Sequence, residues 1–432
     1  ALLIDEYSKH RKIDLLGFYR RRFYRIVPPL VLMVLMVIPF TYLVRRDYVA
    51  NIGTQIAAAL GFTTNFYEIM TGGNYESQFV PHLFLQTWSL AIEMHFYLIW
   101  GWLIWFLGRR RHSLAQFRSM IFGISGLFFL GSFLSMFIRV FFVDNVSTIY
   151  FSSLSHSFPF FLGAMVATMT GVRETTVRFK KNVRLWTTKR SIITMATSFA
   201  LLMVLGLTLN FNHRITYWFG FLLASLFAVV MIYGARVLND QLPNAKEPVV
   251  INYLSDISYG IYLFHWPFYV IFTQLMPHFL AVLLTVFFSI VLSTLSYYLL
   301  EPFIAGKSPS LLGVEFDLTP YKKWIYGGTA ALGLVTLVTV LMAPSMGNFE
   351  SSLLVNSLNQ EQSNVTRTHT LTAGDAAALS DVTIIGDSVA LRSSSAFSSL
   401  LPDAQLDAAV SRNFNEAFDI YKNAIDSGTL SK

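Results

Sequence analysis

Nine stretches of this 432-residue chain are apolar for close to the length that crosses a bilayer, about 20 residues, and no water-soluble core would bury them all. They fall at 26–44, 85–107, 120–142, 157–171, 191–209, 215–234, 257–275, 279–299 and 325–343. The run from Ile52 to Ile69 is also apolar but is broken by Gly61 and Asn65, and reads as an interfacial or re-entrant segment. Only 13% of residues are charged, against about 25% in a soluble domain. The expected fold is therefore an α-helical polytopic membrane domain.

The net charge of +7 hides two unlike parts. Residues 344–432 hold 5 Lys and Arg against 10 Asp and Glu, a net of −5; the preceding 343 carry +12. The basic excess lies beside the apolar runs, so it speaks of membrane orientation and not of nucleic acid. Alternate connections (1–25, 108–119, 172–190, 235–256 and 300–324) hold 23 basic residues, and the opposite short loops hold 3. By the positive-inside rule the first residues are cytoplasmic, and nine crossings put the tail outside, in a multi-pass plasma-membrane protein.

Residues 344–381 are rich in Ser, Asn, Gln and Thr without clear periodicity and are read as an extracellular linker. From 382 a different fold begins: Val382–Ile385 is a short apolar strand, Gly386-Asp387-Ser388 turns it, and Val389–Leu401 can form a helix. No cysteine is present, so neither a disulfide nor a cysteine thioester enters the chemistry.

Four constellations could carry chemistry. Arg21, Arg22 and Arg25, ahead of Pro28, form a guanidinium fork at the lip of a span, suited to phosphate oxygens or, as an anchor, to lipid headgroups. Glu93, in Thr87-Trp88-Ser89-Leu90-Ala91-Ile92-Glu93-Met94-His95-Phe96-Tyr97, is a carboxylate within a span; it is a base or orienting group in a cavity, or half of a structural pair with a Tyr or Arg of another span. His265, in Ser258-Tyr259-Gly260-Ile261-Tyr262-Leu263-Phe264-His265-Trp266-Pro267, is mid-span, catalytic or a hydrogen-bonded core group; Pro267 frees a backbone carbonyl nearby. Ser388 sits on a strand-to-helix turn, where an exposed hydroxyl and free backbone N–H groups suit acyl transfer, or where Asp387 and Ser388 simply cap a helix. Glu93 and His265 are each expected about 12 Å deep, facing a common interior cavity.

The Arg-Arg-x-x-Arg-x-x-Pro, Trp-Ser-Leu-x-x-Glu and Ser-Tyr-x-x-Tyr-Leu-x-His-Trp-Pro motifs, in this order, resemble the acyltransferase-3 membrane family, as does Leu300-Glu301-Pro302-Phe303. The resemblance covers residues 1–303. With a further span and Gly-Asp-Ser, the chain resembles the fused peptidoglycan O-acetyltransferase form, which carries an extracellular SGNH α/β domain. The domains implied are 1–343 (membrane acyltransferase), 344–381 (linker) and 382–432 (start of the SGNH-like fold).

The resemblance implies a relay. Cytosolic acetyl-CoA would donate an acetyl group, the membrane part would pass it outward, and Ser388 would deliver it to a glycan hydroxyl. Arg21, Arg22 and Arg25 would contact acyl-CoA, Glu93 and His265 would serve catalysis in the membrane part, and Gly386 and Asp387 would shape the oxyanion turn. Acyl-CoA, the glycan and the lipid bilayer are the implied partners, with no nucleic acid, no metal and no permanently bound cofactor. The family's opening Arg-x10-His span has no match here, and Ser411 stands where the SGNH block has Gly, in Val410-Ser411-Arg412-Asn413. Two spans are expected to precede this sequence, making eleven, and the chain as it stands is expected to be inactive. O-acetylation of another envelope polysaccharide, a transporter with a binding tail, and a secreted-side esterase on a passive anchor are the competing readings.

Overall fold

The computed structural model describes residues 2–71, 80–110, 112–143, 145–171, 175–243, 248–311, 314–372, 382–401, 404–410, 412 and 414–426. The chain divides into two compact units. One comprises residues 1–37, 55–73 and 84–330; the other comprises 38–54, 74–83 and 331–432.

The first unit is helical. A short helix α1 (Leu2–His10) precedes α2 (Leu15–Val37). Two short helices follow, α3 (Ile52–Leu60), which begins in the second unit, and α4 (Thr64–Thr71). Long helices come next: α5 (Thr87–Gly108), α6 (Leu114–Phe142), the short pair α7 (Ser153–His156) and α8 (Phe158–Thr170), α9 (Thr188–Thr208), α10 (Phe221–Gln241), α11 (Val249–Leu275) and α12 (His278–Leu295). Their boundaries follow local chemistry. Ser113 caps α6 in a capping box with Gln116, and Thr187 caps α9 by accepting from Arg190 N.

Among the described residues, seven helical segments are long and apolar enough to cross a membrane: 15–43, 87–108, 114–142, 188–208, 216–241, 278–304 and 319–342. Two of the nine expected segments lie outside this set. Helix α8 has 13 residues, about 20 Å of helix, which is short for a hydrocarbon core of about 30 Å. Helix α11 is 27 residues long, but its tyrosines, His265 and Asp256 lower its hydropathy. It can carry them because Ile257, Leu263, Phe264, Phe268 and Ile271 are buried against protein. Helix α9 is the contrast: 11% of its apolar window is buried, against 44% for the segment at 15–43. Helix α11 packs along α12 and against α2, and a buried apolar cluster joins α1, α2, α5 and α6 through Tyr7, Phe18, Trp100, Ile104, Phe117 and Ile121.

Three local expectations change. The arginine-bearing helix starts at Leu15, eleven residues before the expected span, so Pro28 and Pro29 lie inside it and not in its first turn. The apolar run at 52–69 breaks at 61–63, where Phe62 takes a positive φ of 55°, and not at Asn65, which sits buried in the first turn of α4. The polar stretch after Pro344 is a helix, α14 (Asn348–Thr372), following α13 (Lys322–Met342). Its Leu, Asn, Gln and Glu residues tolerate helix, and Leu353 gives it a buried anchor. Residues 373–381 of the expected linker lie outside the described residues.

The first unit also holds a two-residue hairpin, β1 (Ser310–Leu311) with β2 (Val314–Glu315). The second unit has a parallel pair, β3 (Thr383–Gly386) with β4 (Gln405–Ala408), in register from Thr383–Gln405 to Gly386–Ala408. Between them lie α15 (Ser388–Arg392) and α16 (Ser394–Leu400), and α17 (Phe414–Asp426) follows. The single helix expected over 389–401 is thus two, divided at Ser393.

Candidate functional site

Pro267 has no N–H, so the Leu263 carbonyl four residues earlier lacks its helical donor. Gln86 fills the gap: its Nε2 donates to Leu263 O at 2.9 Å. This pins the start of α5 to the middle of α11. The Tyr262 hydroxyl reinforces the join, donating to Gln86 O at 2.6 Å and lying 2.9 Å from Ser89 Oγ. His265 Nδ1 faces the Tyr262 carbonyl at 2.7 Å. A donor N–H there leaves Nε2 as the ring's acceptor.

One turn earlier on α11, Tyr259 donates to Ile26 O of α2 at 3.0 Å, beside the paired prolines. Between them, Gly260 allows α11 to touch α12; a Cβ there would come 2.6 Å from Ser293 Cβ. The third side of the triangle joins α2 to α5. The Arg22 guanidinium lies 4.8 Å from the Tyr97 ring centroid and 5.6 Å from that of Phe18. The Tyr97 hydroxyl donates to Glu93 Oε1, one helical turn away. Three motifs spread over residues 21–267 are therefore linked pairwise through tyrosines.

The arginines differ in setting. Arg22 is half-buried beside Tyr97, which is eleven residues from Gly108, about 16 Å along α5. Arg21 is largely exposed and pairs with Glu6 at 3.4 Å. Arg25 lines two cavities. One, about 480 Å³, is bounded by Asp5, Glu6, Lys9, Arg21, Arg22 and Arg25. The other, about 350 Å³, is bounded by Arg25, Asp256, Tyr259, Gly260, Tyr297 and Glu301. Glu93 and His265 are not among the residues lining these two; Glu93 accepts from Tyr97, and His265 Nδ1 faces the Tyr262 carbonyl. A third cavity, about 860 Å³, lies among Tyr7, His10, Arg11, Arg109, Arg110 and His112. Among the described residues no cluster of three His, Cys, Asp or Glu could hold a metal.

In the second unit Ser388 stands at the C-terminal end of β3, as expected, and opens α15. Asp387 is its cap, accepting from Val389 N at 2.9 Å. Gly386 is required by close approach, since a Cβ would fall 2.3 Å from that of Ala390. Arg412 ties the turn to β4, donating to Gly386 O at 3.2 Å and pairing with Asp407 at 2.6 Å. Ser411 and Asn413 lie outside the described residues.

Ser388 itself corrects the expectation of exposure. It is 1% exposed, and its Oγ has no hydrogen-bond partner among the described residues. Helix α14 packs beside it, over α15 and β4. Gln360 exchanges two hydrogen bonds with the Ala408 backbone at 3.0 and 3.1 Å, Asn356 donates to Arg392 O, and Leu353 packs with Leu391 and Ala408.

Gln86, Tyr97, Tyr259, Tyr262 and Asp256 are the site members that motif reading passed over. The first four lie in or beside the motifs, and a proline four residues after a carbonyl in a packed helix was the available signal for a donor such as Gln86. Nothing local marked Asp256, which accepts from Tyr297 at 3.2 Å and Tyr298 at 3.0 Å.

Residues 2–301 match the acyltransferase-3 family, described as an acyltransferase domain. The O-acetyltransferase OatA of Staphylococcus aureus is 24% identical over 98% of this chain and 71% of its own length. The putative peptidoglycan O-acetyltransferase YrhL of Bacillus subtilis is 26% identical over 70% of this chain and 47% of its own length. The peptidoglycan O-acetyltransferase OatA of Listeria monocytogenes is 22% identical, over 69% of this chain and 48% of its own length. No solved structure matches significantly.

Proposed function

We propose, from the premise that this chain belongs to the acyltransferase-3 family and is a multi-pass membrane acyltransferase, that it moves acetyl groups from cytosolic acetyl-CoA to hydroxyls of a cell-envelope glycan, with peptidoglycan as the acceptor. The observation that carries this reading is the closed triangle of α2, α5 and α11, in which Tyr97, Tyr259 and Tyr262 hold the arginine, Trp-Ser-Leu and His-Trp-Pro motifs together. Its arginine side suits a phosphorylated donor. Arg22 is half-buried beside two aromatic rings, and Arg25 borders two cavities, so both guanidiniums can offer paired N–H groups to phosphate oxygens.

The reading places the first residues of this sequence in the cytoplasm, supported by the basic-residue imbalance between alternate loops. Residues 382–432 are assigned as the opening of an external SGNH-type fold, with Ser388 as nucleophile, supported by the parallel β3–β4 pair and the Gly-Asp-Ser turn. Glu93 orients the arginine side through Tyr97; His265 presents Nε2 to the acyl path. In this scheme α14 is the connecting helix of the external part.

The test uses the full-length protein in proteoliposomes with labelled acetyl-CoA on one side and glycan strands on the other. Acetyl esters should appear on the glycan, and Ser388→Ala should abolish them while acetyl-CoA is still consumed slowly. A wild-type protein that leaves acetyl-CoA untouched defeats the reading. Full glycan acetylation by the variant removes Ser388 from it.

A further inference from the structure

Helix α5 presents a second polar face. Glu93 and Tyr97 turn toward α2, whereas His95, between them in sequence, turns toward α4 and α7. His95 Nδ1 lies 3.1 Å from Ser153 Oγ. Asn65 Nδ2 donates to the same Ser153 Oγ at 2.9 Å, which occupies a serine lone pair and leaves the hydroxyl hydrogen for the imidazole. Phe62, in the turn between α3 and α4, is one of three non-glycine residues with positive φ among the described residues. A histidine bonded to a serine whose oxygen is held by a buried amide is the arrangement of an activated nucleophile.

The surroundings suit the charge such a nucleophile generates. Arg139 Nη1 donates to Ser152 Oγ at 3.1 Å and Ser155 Oγ at 3.0 Å, on either side of Ser153. Ser153 is partly accessible, whereas Asn65 is fully buried. His95 is thirteen residues from Gly108, about 20 Å along α5 from the Arg109–Arg110 end.

We propose that Ser153 and His95 form a nucleophile–base pair that takes the acyl group from an acyl thioester inside the membrane domain, an inference that rests on the acyl-transfer reading above. The Ser153 oxygen bonds to the thioester carbonyl carbon as its proton passes to His95 Nδ1. The carbon–sulfur bond then breaks, and the proton leaves with the thiolate as a free thiol. Discharge runs the same way: an acceptor hydroxyl gives its proton to His95 and bonds to the acyl carbon, the bond from that carbon to the Ser153 oxygen breaks, and His95 returns the proton to that oxygen. Asn65 positions the serine oxygen, and Arg139 favours the oxyanion.

The experiment mixes the full-length protein in nanodiscs with labelled acetyl-CoA, quenches in acid after one turnover and maps the label by peptide mass spectrometry. Acetyl is expected on the Ser153 peptide, more of it in Ser388→Ala, none in Ser153→Ala, and at least tenfold less in His95→Gln. Ser153→Cys should carry a label that neutral hydroxylamine releases, a distinctive thioester in a sequence without cysteine. Acetyl-CoA consumption with Ser153 unlabelled in both wild type and Ser388→Ala overturns this proposal alone. Absence of acetyl-CoA consumption overturns the acyl-transfer reading beneath it. The covalent label separates catalysis from a structural hydrogen bond, which would leave no acetyl behind.

Discussion

The Arg22 guanidinium lies over the Tyr97 ring at 4.8 Å, and the hydroxyl of that ring donates to Glu93. One tyrosine thus couples a cation on α2 to a carboxylate on α5 without direct contact between the charges. The ring contributes through its quadrupole, about 0.5–2 kcal/mol depending on desolvation, and the charged hydrogen bond contributes about 1.5–3 kcal/mol. Tyr97→Phe keeps the first and loses the second.

Removing Arg22 and removing the Tyr97 hydroxyl should accordingly differ. Arg22→Ala is expected to weaken acetyl-CoA binding by about 2–5 kcal/mol if the donor phosphates meet it in a desolvated site. Tyr97→Phe should leave donor affinity within about threefold and lower turnover, because Glu93 loses its orientation; threefold is about 0.7 kcal/mol, within an ordinary hydrogen-bond effect. Equilibrium binding of labelled acetyl-CoA to purified protein distinguishes the two. Equal loss of affinity in both variants would mean that Arg22 acts only by packing.

Gln86 and Pro267 are predicted to be energetically coupled. Gln86→Leu leaves the Leu263 carbonyl without a donor, at about 1–3 kcal/mol for a buried group. Pro267→Ala restores a backbone N–H in register with that carbonyl, so the double variant should recover most of the loss. Thermal unfolding in detergent measures each, and strict additivity would contradict the shared acceptor.

Close packing at Gly260 gives a sharper steric test. Its nearest neighbour is Ser293 Cβ, so Gly260→Ala must push α11 from α12 and should cost about 1–3 kcal/mol. Ser293→Gly opens the same space. Gly260→Ala with Ser293→Gly should therefore melt closer to wild type than Gly260→Ala alone, and a double variant no better than the single one would place the obstruction elsewhere.

Orientation is testable because the sequence contains no cysteine. A cysteine at Ser352 should react with an impermeant thiol reagent applied to intact cells, and one at Thr176 should react only after permeabilisation. The reverse pattern would invert the topology drawn from the basic loops.

Much of the membrane half was legible because its signals are local. Apolar length marked most of the long helices, and the motifs marked the three that converge. Pro267 announced an orphaned carbonyl, although its partner Gln86 lies 177 residues away and had to be seen. The pairing of His95 with Ser153 was invisible for the same reason: 58 residues separate them, and both are common residue types. Helix α11 was legible as a helix by its apolar length, and its polar side chains are accommodated by its burial against protein. The helicity of 348–372 was not legible because the stretch is polar and lacks clear periodicity; Leu353, Asn356 and Gln360 dock it through contacts distant in sequence.

The burial of Ser388 yields the last prediction. Its Oγ is enclosed and unpartnered, and α14 is fastened over β4 and α15 by Gln360, Asn356 and Leu353. A hydroxyl in that position cannot meet a glycan or a reactive phosphonate while the helix is docked. Loosening α14 should therefore raise reactivity at Ser388 before any change in the turn that holds it, since Gly386, Asp387 and Arg412 fix the turn independently. Leu353→Ala removes a buried anchor, about 2–5 kcal/mol at a fully packed site, and Gln360→Ala removes two backbone bonds at about 0.5–1.5 kcal/mol each. Labelling of Ser388 by a fluorophosphonate in the full-length protein should rise at least tenfold in the double variant, while Asp387→Ala should not raise it. Wild-type labelling as fast as that of the double variant would show that α14 does not shield the serine.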